Sequence, residues 1–349
     1  MATIYDVARA AGVDPSTVSY ALSGKGTISK ETRAKILRLA EDLGYRPNLV
    51  ARSLIMQHTH TIGLVLPTIS NPFYGEVAQA VERRAQRAGY RVFVANTDGD
   101  ERLGDELLED LAARQVDGVI AMSGGLSLSC IVACSNAGLP VVSCMWNEQD
   151  LSAPAPVDID FVAGGRIAAH HLLDLGHRRI GLIAEGTAGA TPRHHLRMRG
   201  FHDALVDAGV TPEDTLTRLG DSSVESGKVA ALDLLSLPDP PTAIFATNDL
   251  MALGILAAAW KLNLRVPQDL SIVGFDDIVP AAYVTPPLTT IRIDRTAFMD
   301  AATDYLLDMI AGRPVAPPPI HVPTLAVRAS TGGVPGARRR KPQTRTRAR

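Results

Sequence analysis

Pro15, Ser16, Ser19 and Tyr20 fall on one polar side of a short helical pattern whose other side carries Val18, Ala21 and Leu22. Small hydroxyls and a phenol on such a face can reach base edges in the major groove of DNA. The face needs a frame to hold it. Ile4, Val7, Ala8 and Ala11 recur at i, i+3, i+4 and i+7, which predicts a preceding helix with one apolar stripe. Thr3 can cap that helix, and Asp6 stands where an acid suits the helix dipole. Gly12 permits a sharp turn. Asp14 then caps the second helix, with Pro15 at its first position, where the missing N–H costs nothing. A third helix is expected from Ser29 as cap to Gly44 as stop. Ile36, Ala40 and Leu43 are expected to close its small core, and Lys30, Arg33, Lys35 and Arg38 to meet phosphates. Two short helices joined at a glycine, with a third behind them, make a helix-turn-helix, so sequence-directed DNA binding leads. An ordinary three-helix surface module is the competing reading.

No residues suggest catalysis. The sequence has no Gly-x-Ser-x-Gly elbow, no phosphate-binding loop and no convincing acid/base pair. His170, His171, His177 and His202 lack a metalloenzyme spacing such as His-Glu-x-x-His, so surface or pocket roles are expected. Cys130, Cys134 and Cys144 form no even framework and fit buried structural thiols in a reducing compartment. No enzyme, metal or cofactor is expected.

The 349 residues are too many for one small core, which predicts two or three domains. With 46% apolar and 5% aromatic residues, the composition suits an Ala/Val/Leu-rich α/β protein. No run of about 18 apolar residues occurs, so no membrane partner is expected. The DNA-binding motif occupies the place of a signal peptide, which places the protein in the cytoplasm. Charge is uneven. Residues 1–58 carry +3 and residues 337–349 carry +7, leaving −12 on the body of a chain whose net charge is −2. A basic head on an acidic body orients a protein toward DNA. The basic tail has no apolar periodicity and is expected to be disordered. It either adds non-specific phosphate contacts or only aids solubility.

From Thr61 onward, short β-rich runs alternate with helical patterns. Strands are expected at 62–66, 91–95, 118–121, 180–183, 243–246 and 272–275. Helices are expected near 73–88, 102–114, 161–175, 196–208 and 249–261. This alternation predicts doubly wound parallel sheets in two lobes. Ligands of such sheets bind beyond the carboxyl ends of the strands, which here means a cleft between lobes. Asn71, Phe73 and Tyr74 follow the first strand and offer an amide and aromatic faces. Trp146 offers another ring, although Tyr74 and Trp146 also read as interface core.

The N-terminal segment resembles the lactose-repressor family of bacterial transcription regulators, and the match continues through Tyr45-Arg-Pro-Asn-Leu-Val-Ala-Arg-Ser-Leu54. That stretch is similar to the family's hinge helix, with Asn48 as its cap. A helix of about eight residues is unstable alone in water, so it should form only when paired on DNA. On its residues alone, Leu54 reads equally as linker packing or as a minor-groove wedge. The resemblance implies the wedge, which would kink the duplex. The expected DNA contacts are Thr3, Tyr5, Pro15, Ser16, Thr17, Ser19, Tyr20, Lys30 and Arg33, then Asn48, Ala51, Arg52 and Leu54. Tyr20 departs from the arginine many relatives carry there, so the base it reads is open.

The body is similar to the family's effector domain, itself similar to periplasmic sugar-binding proteins. The landmarks are Asn71-Pro-Phe-Tyr74, Val157-Asp-Ile-Asp160 with Gly164-Gly165, Gly176-His-Arg-Arg-Ile-Gly181, Leu196-Arg-Met-Arg-Gly-Phe201, Thr247-Asn-Asp-Leu-Met-Ala-Leu-Gly254, Val273-Gly-Phe-Asp-Asp277, Pro287-Leu-Thr-Thr-Ile291 and Val322–Thr331. The resemblance implies effector contacts from Asp160, Arg197, Asn248 and Asp276, with Asp276 alternatively only a loop cap. Arg193, His194 and His195 stand in a loop that varies with ligand, and their charge suits a more acidic effector. The implied organisation is a helix-turn-helix over 1–46, a hinge helix over 47–58, a two-lobed domain over 59–334 and a tail over 335–349. Lobe one takes about 61–160 and 290–322, and lobe two about 161–289 and 323–331. The family's long tetramerising C-terminal helix is absent, which implies a homodimer. The expected function is an effector-switched repressor on pseudo-palindromic double-stranded operator DNA. Its effector is expected to be a sugar, with a sugar phosphate, sugar acid or nucleobase as alternatives. A solute-binding protein without DNA function is the competing class.

Overall fold

A computed structural model of the chain describes residues 2–23, 28–46, 58–146, 153–186, 193–213 and 216–334. They divide into two compact units, Met1–Thr59 and His60–Arg349.

The first unit holds α1 (Ile4–Ala11), α2 (Pro15–Ser23) and α3 (Lys30–Asp42). At α1 the cap is reciprocal: the Thr3 hydroxyl accepts from Asp6 N, and the Asp6 carboxylate accepts from Thr3 N at 2.9 Å. Two orphan amides are thereby satisfied. Gly12, at φ +70°, ends the helix in the left-handed region. Val7, Ala8, Ala11, Val18, Ala21, Ile36 and Ala40 bury a small core. One expectation is corrected here. Leu43 is 42% exposed, because α3 ends one residue earlier and the chain turns at Gly44. Tyr45 closes the core instead: its N–H donates to Ala40 O at 2.8 Å, while Gly44 N donates to Glu41 O at 2.9 Å. That is the Schellman arrangement, which brings the residue after the glycine back onto the helix. Lys35 remains exposed, with its ammonium donating to Ala11 O at 2.9 Å and satisfying a carbonyl at the end of α1.

The second unit begins with β1 (Thr61–Leu66), α4 (Pro72–Arg87), β2 (Arg91–Asn96), α5 (Glu101–Ala113), β3 (Gly118–Met122), α6 (Leu128–Asn136), β4 (Val141–Cys144) and β5 (Pro156–Val157). Their strands form a parallel sheet in the order β2-β1-β3-β4-β5. Then come α7 (Phe161–Asp174), β6 (Ile180–Glu185), α8 (Arg193–Asp207), β7 (Thr217–Gly220), α9 (Val224–Leu235), β8 (Ala243–Ala246), α10 (Asp249–Lys261), β9 (Ser271–Asp276), β10 (Thr289–Arg292), α11 (Arg295–Ile310) and β11 (Thr324–Ala326). The second sheet runs β11-β10-β9-β8-β6-β7, parallel except for β11. Central strands such as β3, β8 and β9 are buried along their whole length, as sheets covered by helices on both faces require.

The chain crosses between lobes three times, but one crossing lies later than 290. Thr289–Arg292 pairs with β9 in the second sheet, and α11 then packs on α4, β3 and β4 of the first lobe. Buried runs with no polar alternation give no cue to which sheet a strand joins. Close helix packing seats the site. A Cβ on Gly165 of α7 would lie 2.0 Å from Arg197 O, and one on Gly200 of α8 would lie 2.0 Å from Val162 O. Only glycine lets these two backbones meet so closely.

Candidate functional site

Between the lobes of the second unit lies a cleft of about 400 Å³. The first lobe lines it with Asn71, Phe73 and Tyr74 at the start of α4, and the second with Arg197, Asn248 and Asp276. Asn71 caps α4, its Oδ1 accepting from Phe73 N at 3.0 Å. Phe73 is buried and meets the Tyr74 ring edge-on. Arg197 projects from α8, with its guanidinium 4.5 Å from the Phe161 ring centroid and 4.3 Å from that of Phe275. It donates to Thr247 O at 2.8 Å and pairs with Asp276 at 3.8 Å. Among the described residues its Nε has no partner. Asn248 spends its Oδ1 on capping α10, accepting from Met251 N at 2.8 Å, which leaves its buried Nδ2 unpaired. Ser222 Oγ is likewise unpaired. Each such buried group costs about 1–3 kcal/mol until a partner arrives, so the cleft wall is set for a ligand carrying hydroxyl or carbonyl oxygens.

Asp276 is the buried acid of this wall. Burial pushes its carboxyl up to about 7, against the opposing pull of Arg197 and Arg295. Its backbone and that of Asp277 lie at φ 109° and 55°, in the region that favours glycine. Two such residues cost on the order of 1–3 kcal/mol each and persist only where their surroundings hold them. Arg295 donates to the carbonyls of both, while Arg292 and Arg328 pair with the Asp277 side chain. Asp249 supports the same turn from beneath. It accepts from Thr290 Oγ1 at 2.6 Å and Ile278 N at 2.9 Å, and burial followed by the nearness of Asp276 raises its carboxyl well above the usual range.

Other expected contacts lie elsewhere. Trp146 does not line the cleft. It is 8% exposed in the core beneath the first sheet, with Nε1 donating to Ala121 O at 3.3 Å. Met145, its neighbour, faces the cleft instead, where the chain leaves β4 through a left-handed residue at φ 63°. Asp160 is also absent from the lining and caps α7 through Ala163 N at 2.8 Å. Nothing is described of the side chains of Arg193, His194 and His195. His177 is neither at the surface nor in the cleft: it is buried, bonded to Thr242, Ser271 and Gly332 O, and burial lowers its pKa. Glu185, Asp98, Asp221, Ser222, Ser223, Ser123 and Phe161 also line the cleft and were not anticipated. Their shared signal is position at or just beyond a strand end or, for Phe161, at a helix start.

On the first unit, the candidate DNA face stands clear of the core. Tyr5 and Tyr20 are 67% and 53% exposed, and Ser16, Ser19, Lys30 and Arg33 are exposed with them. Pro15 and Thr17 are half-buried, and Thr3 is exposed, its hydroxyl donating to Asp6. Asn48, Ala51, Arg52 and Leu54 lie outside the described residues, as does the hinge they belong to.

Both units match known families. Residues 3–48 match the bacterial regulatory proteins of the lacI family, and residues 169–331 match the periplasmic binding protein-like domain. The ribose operon repressor of Escherichia coli (strain K12) is 37% identical over 311 residues, 89% of this chain and 93% of that one. The HTH-type transcriptional regulator DegA of Bacillus subtilis (strain 168) is 39% identical over 292 residues, covering 83% and 86% respectively. The solved lac repressor dimer bound to operator and the anti-inducer ONPF superposes with a TM-score of 0.86 at 29% identity, over 95% of this chain and 99% of that one. The transcriptional regulator CelR in complex with cellobiose superposes with a TM-score of 0.68 at 31% identity, over 95% and 100%. With a helix-turn-helix unit, a cleft between two parallel-sheet lobes and relatives of this identity over most of its length, the chain belongs to the LacI family of DNA-binding transcriptional repressors.

Proposed function

We propose that this repressor binds a pseudo-palindromic double-stranded operator as a homodimer and is switched by a small uncharged sugar held in the cleft. The observation that carries the effector class is the pairing of unpartnered buried donors, Arg197 Nε and Asn248 Nδ2, with the acceptor Asp276 on one wall and the rings of Phe73 and Tyr74 on the other. Sugar hydroxyls both donate and accept, and their C–H faces stack on aromatic rings. Asp98, Glu185, Asp221 and Asp276 outnumber Arg197 among the described lining residues, which weighs against a sugar phosphate or sugar acid. The ribose and cellobiose in the names of relatives support the same class.

A ligand that touches both lobes favours one lobe orientation, and the linked change in DNA affinity follows from that preference. A symmetric dimer presents two recognition helices to two half-sites. The edge strand β2 supports a second copy as partner, since it leaves Phe93 and Val94 each 50% exposed. A thermal-shift screen across pentoses, hexoses, disaccharides, sugar phosphates and nucleobases tests the effector class. A neutral sugar is expected to raise the melting point. A shift produced only by phosphorylated sugars or nucleobases overturns the class and leaves the DNA-binding assignment standing.

A further inference from the structure

The turn that presents Asp276 belongs to the second lobe, yet the first lobe grips it. Val279 N, three residues past Asp276, donates to Glu76 Oε1 at 3.1 Å. Glu76 lies on α4, one turn beyond Asn71 and Phe73. Its other oxygen pairs with Arg295 at 2.5 Å. Arg295 opens α11, which packs on the first lobe, and it donates to the carbonyls of Asp276 and Asp277, the latter at 2.8 Å. The same guanidinium sits 5.8 Å from the Phe73 ring centroid. The Arg295 and Glu76 side chains keep only 13% and 26% of their surface, so this charge-assisted chain is partly withdrawn from water. Moving the lobes apart must break the Glu76–Val279 bond, strip the two carbonyls from Arg295, or shift Asp276 itself.

We propose that Glu76 is a positioning residue that couples the two walls of the cleft, fastening the Asp276 turn of the second lobe to the helix that carries Asn71 and Phe73 in the first. Its importance for switching rests on the cleft being the effector site, but the fastening exists without a ligand. An effector drawn to both Asp276 and Phe73 acts on the two ends of one hydrogen-bonded chain. Glu76 that only neutralises Arg295 within the first lobe is the competing role, and it predicts no effect on the turn.

Amide hydrogen exchange on the full-length free protein separates the two. In Glu76→Ala, segment 276–282 and the first turns of α4 are expected to exchange about tenfold faster together, with α9 and α10 at the wild-type rate. Glu76→Gln, which keeps an acceptor for Val279 N and loses the ion pair, is expected to fall between. The double variant Glu76→Ala/Arg295→Gln is expected to exchange faster than Arg295→Gln alone, since Glu76 also holds Val279 N directly. Wild-type exchange at 276–282 in Glu76→Ala, or a double variant no faster than Arg295→Gln alone, overturns the proposal. No effector is used, so a failed sugar screen and a failed coupling are distinguishable results.

Discussion

Asp276 joins burial, strain and candidate recognition in one side chain, and its proton makes that testable. Burial raises its carboxyl from 3.8 to about 7. The folded protein therefore holds this proton more tightly than the unfolded chain does. The corresponding stability is fully present below about pH 4 and is lost as pH rises through 7. Asp276→Asn needs no proton. Relative to wild type its stability is expected to improve by up to about 4 kcal/mol between pH 4 and pH 8, read from urea melts. Effector affinity should show the opposite slope. Hydroxyl donors prefer the ionised carboxylate, so wild-type affinity is expected to rise up to about tenfold from pH 6 to pH 8 while Asp276→Asn stays flat. A pH-independent wild-type affinity by calorimetry would place the ligand elsewhere. Arg197→Ala is expected to fold, because Asp276 then takes its neutral form instead of standing as a lone buried charge. It should keep operator binding and lose about 1–3 kcal/mol of effector affinity. Arg197, Asn248 and Asp276 are legible in the sequence through the family resemblance, and Asn248 and Asp276 also stand at the ends of recognisable strands. Trp146 is not, since a shift of one residue along the chain decides between core and cleft.

The helices α7 and α8 place Arg197, and their contact tolerates no added carbon. Gly165→Ala puts a methyl 2.0 Å from Arg197 O, so the backbones must separate. A cost of about 1–3 kcal/mol is expected, with effector affinity falling along with the melting point because Arg197 moves. An alanine variant with unchanged melting and unchanged ligand binding would show that this contact does not seat the arginine. At α1, Thr3→Ala removes one half of the capping box and is expected to destabilise the first unit by about 1 kcal/mol, leaving the melting of the second unit unchanged. Much of the element pattern is readable: α10 spans Asp249–Lys261, where the alternation of strands and helices places a helix. The strands β4, β5, β7 and β10 and the helices α6, α9 and α11 escape detection. Thr217–Gly220 is a short, partly exposed edge strand, and Thr289–Arg292 is a buried run rich in threonine. Missing β7 also hides Asp221, Ser222 and Ser223, which follow it and line the cleft. Leu43 misleads for a related reason, because the cap's geometry turns its side chain against the helical period.

At the scale of the whole molecule, charge separation and the cleft between lobes serve one linkage. Residues 1–58 carry +3 and the tail +7 against −12 on the rest, so DNA affinity should fall steeply with salt while effector affinity changes little. Two heads on one duplex should make the logarithmic salt slope about twice that of a single head. Operator affinity by fluorescence anisotropy, with and without the sugar found in the screen, tests the central claim most directly. The account predicts a shift of about 5–150-fold, matched by an equal shift in sugar affinity when operator is present, and its loss in Arg197→Ala. An operator affinity unmoved by a sugar that demonstrably occupies the cleft would contradict it.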